Sequence, residues 1–216
     1  MSTNDDNYLV KFLGQAKVIL TGASDAELRV QLFDVLQDFF DLSNAWQEAI
    51  RFTVVPTSLT YPLEPLSGRI LRLSNVIDQN NVAQQAVMPV PGLVQFLYPY
   101  SNVQPMTAIV VKNVTDPLDC FPPDFPTWLL PSYGIGLLSG VLGNMMAQPG
   151  QSYSNPQMGM FHLQKFRDAA MHARVAMMRM NTIGAQAWAY PQQFRVTGQK
   201  GGVSTFNVNP SSTTPR

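Results

Sequence analysis

The chain has 216 residues, 45% of them hydrophobic, which is enough for a sizeable core and excludes global disorder. Only 13% are charged, roughly half the usual share of about 25%, so the surface must be built largely from Gln, Asn, Ser and Thr. Formal net charge is zero but divided. Residues 1–150 hold 7 Lys+Arg against 13 Asp+Glu, a balance of −6, and residues 151–216 hold 7 against 1, a balance of +6. Polarity of this kind favours packing of identical subunits or contact with an acidic partner. Six charges spread over a helix and a tail are too dilute for a dedicated nucleic-acid reader. The single cysteine, Cys120, cannot form an internal disulfide.

The first residues, "MSTNDDNYLVKF", are acidic and lack the layout of a signal peptide. Residues 7–20 carry apolar side chains at helical spacing around Gly14 and predict a short helix. "TGAS" then punctuates, and Ser24 with Glu27 forms an S-x-x-E capping box. Leu28, Leu32, Val35, Leu36, Phe39, Leu42, Trp46, Ala49 and Ile50 follow at spacings of three and four, interleaved with Asp34, Asp38, Asp41 and Glu48. This pattern predicts one helix from Asp25 to about Thr53, roughly 40 Å long.

From Pro56 to Pro126 prolines recur too often for helices. Just before and between them lie the strand-length runs "RFTVV", "RILRLSNVI", "QAVMPV", "LVQFLYPY" and "TAIVVKNV". They predict a small antiparallel β subdomain, residues 55–126, inserted between helical regions 1–54 and 127–184. Helical pattern returns at Trp128, with Pro131 in the first turn. Gly136, Gly140 and Gly143 leave one face of this helix almost bare. Glycine costs about 1 kcal/mol in a helix relative to alanine, so three on one face predict close approach by another helix. The run from Trp128 to Ala147 nearly suffices to span a membrane, but its Pro and Gly content favours a buried helix. Pro149-Gly150 ends it, and Asn155 caps the next helix with Pro156 at the first position.

That last helix is expected to run to about Ile183. Phe166, Ala169, Ala170, Ala173, Ala176, Met177 and Met180 face inward, and Lys165, Arg167, Arg174 and Arg179 face outward. Beyond it, residues 185–216 form an extended tail. Trp188, Tyr190, Phe194, Arg195, Lys200 and Phe206 are its candidate contacts to a partner or neighbouring subunit, since the tail cannot bury its aromatics alone. The expected fold class is therefore α+β: an antiparallel helical bundle, made of a long N-terminal helix and a C-terminal hairpin, with a β insert and an assembly tail.

The residues carry little catalytic vocabulary. His162 and His172 lie ten apart, roughly 80° out of alignment on a helix, and do not make a chelating pair. Asp116, Asp119 and Asp124 lack the spacing and glycine of a calcium loop. Cys120 sits in "DCFPPD" as a small apolar thiol beneath a proline turn. The Gly134-Ile135-Gly136 run lacks the third glycine and the preceding strand of a dinucleotide fingerprint. No enzyme, metal or cofactor is expected.

Two stretches carry a resemblance: "LFDVLQDFFDLSNAWQEAIRFTVVPTSLTYPLEPLSGRILRLSNV" (Leu32 to Val76) and "YGIGLLSGVLGNMMAQPGQSYSNPQMGMFHLQKFRDAAMHAR" (Tyr133 to Arg174). With the order of the pieces, they resemble tailed-bacteriophage head-to-tail adaptor, or connector, proteins. The resemblance implies a virion structural protein, assembled in the host cytoplasm, that forms a dodecameric ring in the neck. Its implied partners are its own copies, the portal protein, a tail or nozzle protein, and packaged DNA threading the channel without sequence-specific binding. No membrane is implied. The alternative is another neck or tail-completion module that forms no portal-bound ring.

Overall fold

The computed structural model describes residues 3–115, 124–126 and 128–180. Contacts divide the chain into Met1–Asn181 and Thr182–Arg216, and the second part lies outside the described residues. Among the described residues there are four helices and seven strands: α1 (Thr3–Ile19), α2 (Asp25–Ser43), β1 (Gln47–Val54), β2 (Thr60–Pro62), β3 (Arg69–Asp78), β4 (Ala83–Gln84), β5 (Ala86–Val90), β6 (Leu93–Phe96), β7 (Gln104–Asn113), α3 (Leu129–Met146) and α4 (Pro156–Met180).

This overturns the expected fold class. The chain is a mixed α+β protein with two antiparallel sheets, ordered β1-β7-β3-β4 and β2-β6-β5. There is no long helical bundle with a small β insert. The decisive difference lies at the end of α2. The capping box forms as read: the Glu27 amide donates to Ser24 Oγ at 3.2 Å and the Ser24 amide to Glu27 Oε2 at 2.9 Å. The Glu27 carboxylate accepts from the Ser24 amide and also from Ser24 Oγ at 3.0 Å, and these two bonds hold it below its ordinary value. But α2 stops after 19 residues, at Asn44, whose left-handed backbone (φ 56°) turns its N–H onto the Phe40 carbonyl at 3.0 Å. Asparagine tolerates that conformation, so it ends helices readily.

Beyond Asn44 the three-and-four spacing of Trp46, Ala49 and Ile50 is accidental. Ile50, Phe52, Thr53 and Val54 are better strand formers. The run from Gln47 to Val54 pairs residue for residue with β7, from Gln47 opposite Val111 to Val54 opposite Gln104. Eight cross-strand pairs, with Ile50, Phe52 and Val54 turned to one face, outweigh two further helical turns. The β region thus begins at Gln47, not at residue 55.

β7 lies inside its sheet, flanked by β1 and β3, and its last four residues, Val110 to Asn113, are buried. β3 pairs with it through two register shifts, between Ile70 and Arg72 and between Leu73 and Asn75, which interrupt the simple alternation read from its sequence. The two sheets close over one core: Val54, Ile70, Val76, Met106, Ala108 and Val110 meet Tyr61, Val94 and Phe96. The helices enclose a second core, in which Phe39 and Phe40 of α2 meet Phe166 of α4 and Trp46, with Phe125 beside them. One described helix, Leu129–Met146, is long and apolar enough to cross a membrane, and 61% of it is buried inside the protein.

Candidate functional site

Two features hold side chains in arrangements that local structure alone does not require. The first is the α3–α4 hairpin. Gly150 (φ +83°) makes the turn. The Asn155 amide donates to the Met146 carbonyl at 2.9 Å, and Asn155 Oδ1 accepts from the Met158 amide at 3.2 Å, capping α4 at Pro156. The glycine face of α3 lies against α4 and α2. A Cβ on Gly136 would overlap the Ala169 methyl. One on Gly140 would sit 2.6 Å from Val35 Cγ1 and 2.9 Å from the Phe166 ring, and one on Gly143 would sit 2.7 Å from Leu163 Cγ. The inner line of α4, Phe166, Ala170, Ala173 and Met177, is buried against it, with Ala169 and Ala176 half-buried.

The outer face of α4 carries Lys165, Arg167 and Arg179 exposed and Arg174 half-buried. Large apolar residues share that face: Met160 is 74% exposed, with Phe161, Met171 and Val175 also in solvent. The Lys165 ammonium lies 4.5 Å from the Phe161 ring centroid. His172 is exposed and His162 half-buried, with its Nδ1 enclosed and unpaired among the described residues. Burial, then the nearby Lys165 charge, lowers the His162 pKa.

The second feature is an ion cluster at the junction of the two cores. Lys112, next to the last residue of strand β7, is completely buried. Its ammonium donates to Glu48 Oε2 on the neighbouring β1 at 2.8 Å and to Asp124, and lies 4.6 Å from the Trp46 ring centroid. Ser67 Oγ donates to the other Asp124 oxygen, and Glu48 also accepts from the Leu66 amide at 3.2 Å. Gly68 (φ +69°) lets that loop close on β7: a Cβ there would stand 2.5 Å from the Asn113 carbonyl oxygen. Burial works to raise the Asp124 carboxyl, but the hydrogen bonds from Lys112 and Ser67 and the Lys112 charge outweigh it and hold the group below its ordinary range. One ammonium thus serves two carboxylates, and the cluster ties Asp124 to strands β1 and β7.

Sequence reasoning missed this cluster. Asp124 was weighed there only as a calcium-loop ligand and set aside, whereas the structure pairs it with Lys112. The available signal was Lys112 itself, a lone charge inside the apolar run "TAIVVKNV". Asp116, Asp119 and Cys120 lie outside the described residues, as do the tail candidates Trp188, Tyr190, Phe194, Arg195, Lys200 and Phe206. Among the described residues no three His, Cys, Asp or Glu side chains come together as a metal site. Asn113, which begins an Asn-Val-Thr glycosylation pattern, is buried and donates its side-chain amide to the Gln37 carbonyl at 3.1 Å. The Gly134-Ile135-Gly136 run lies inside α3. No protein-family model matches the chain, and no curated protein matches it.

Proposed function

We propose that this chain is a structural subunit of a tailed-bacteriophage neck. It closes into a ring, dodecameric as in the adaptor proteins it resembles, that joins the capsid portal to a tail or nozzle protein and continues the DNA channel. The observation that carries this reading is the outer face of α4, where Met160, Phe161, Met171 and Val175 stand in solvent beside Lys165, Arg167 and Arg179. A monomer gains nothing from a row of large apolar side chains on a solvent face, whereas a subunit packed among neighbours does. Most of that face, from Met160 to Met171, falls in the stretch Tyr133–Arg174 that carries the resemblance, and the low charge content of the chain points the same way.

The work of the protein in this reading is recognition, not turnover. Its buried lysine is held between two carboxylates rather than aimed into a cavity. The tail, with Trp188, Tyr190, Phe194, Arg195, Lys200 and Phe206, is assigned to the portal or a neighbouring subunit. Deleting residues 185–216 is expected to leave a cooperatively folding chain that no longer binds the portal ring, measured by co-sedimentation. Undiminished binding would remove the tail from this role.

A further inference from the structure

We infer that the outer face of α4 receives the acidic face of α2 from a second copy of this chain. The inference rests on the reading of the protein as a self-assembling ring and specifies the contact that would build it. The inward side of α2 is set by Leu28, Leu32, Val35, Leu36, Phe39 and Phe40. Its opposite side presents Asp34, Asp38 and Asp41, with Leu42 also exposed. Among the described residues no cation pairs with Asp34 or Asp38, and Asp41 meets only Arg72, at 3.0 Å. Three carboxylates therefore stand in a row with one cation between them. Burial, then the charges of Asp34 and Asp41, raises the Asp38 pKa above its ordinary value.

On α4, Arg167 and Arg174 flank Met171 and form no ion pair among the described residues. The two faces match in spacing as well as in sign. Asp34, Asp38 and Asp41 follow an i, i+4, i+7 pattern, as do Arg167, Met171 and Arg174, and each run spans roughly 10 Å of helix. Laid side by side and parallel, the helices set Arg167 on Asp34 and Arg174 on Asp41 in a single register. Met171 then covers Asp38, and Leu42 meets Val175. Each copy carries one face of each kind, so the contact is heterologous. Repeated contacts of that type either close into a ring or run on as a filament.

The test uses the full chain with and without the portal ring, read by sedimentation velocity and by the cooperativity of loading onto the portal. Arg167→Glu with Arg174→Glu in one chain, and Asp34→Lys with Asp41→Lys in another, should each weaken lateral association roughly a hundredfold or more, because like charges then face each other. Mixing the two reversed chains in equal amounts should restore association, since each supplies the face the other lacks. Circular dichroism of each variant, and the milder Arg167→Gln with Arg174→Gln, separate loss of contact from loss of fold. Wild-type rings that load normally while both reversed chains also load normally would overturn the interface and leave the neck assignment standing. Loss from the α4 reversal alone would give that face to a different acidic surface and also overturn the proposal. A wild-type chain that neither self-associates nor joins the portal would overturn both.

Discussion

Lys112→Met is expected to destabilise the fold by about 3 kcal/mol at neutral pH, because it leaves Glu48 and Asp124 charged and partly buried with no cation. The lysine side chain is 0% exposed, against 24% for Glu48 and 19% for Asp124, so water can relieve the two carboxylates only in part. The pH dependence separates charge from packing. In the wild type the Asp124 pKa is depressed on folding, so its contribution is complete above the ordinary aspartate value of 3.8 and is lost as pH falls through the lowered one. Without Lys112 the opposing effect of burial is left to act, the carboxyl pKa rises, and the variant gains stability as it takes up a proton. Denaturant unfolding of both proteins should therefore show a gap that is large at neutral pH and narrows towards pH 4. A gap independent of pH would mean that lost packing against Trp46 accounts for the cost. Replacing the cluster together, as Lys112→Met with Glu48→Gln and Asp124→Asn, should recover most of the loss, since no charge is then left unpaired.

Gly140→Leu should cost about 3 kcal/mol, since its first carbon already meets Val35 Cγ1 at 2.6 Å and the Phe166 ring at 2.9 Å. Two helices press on this one position, so neither can retreat without opening the contact with the other. Gly134 on the same helix provides the control. Nothing lies within 4 Å of a Cβ built there, and Gly134→Ala should stabilise by up to about 1 kcal/mol through helix propensity alone. Thermal unfolding of the two variants reads the difference directly. Equal effects of the same sign would show that the glycine face is not a packing face.

Those glycines could be read from sequence because their spacing and their cost in a helix point to the same thing, and the Ser24–Glu27 box and the Asn155-Pro156 start could be read because capping is local chemistry. The strand runs after Pro56 were also visible, since the recurring prolines leave no room for a helix between them. The end of α2 was not. Trp46, Ala49 and Ile50 continue the helical spacing of Leu42, and only the pairing of Gln47–Val54 with the distant strand β7 decides that they belong to a turn and a strand. The fold class was misread at that point, because lengthening the helix shrank the sheet region and made a bundle of the rest.

The ion cluster was hidden for the same reason. Glu48, Ser67, Lys112 and Asp124 come from four separate stretches, and Lys112 alone among them looks out of place in its own surroundings. On α4 the outward placement of Lys165, Arg167, Arg174 and Arg179 follows from the 3.6-residue repeat. The exposure of Met160, Met171 and Val175 does not, because an apolar residue in sequence says nothing by itself about which side it faces.

The neck assignment meets its most direct test in the mass of the purified chain, alone and mixed with a portal ring, with the particles imaged. A closed ring of this chain seated on the portal is the expected result. A chain that stays apart from the portal and forms no ring at any concentration would contradict it.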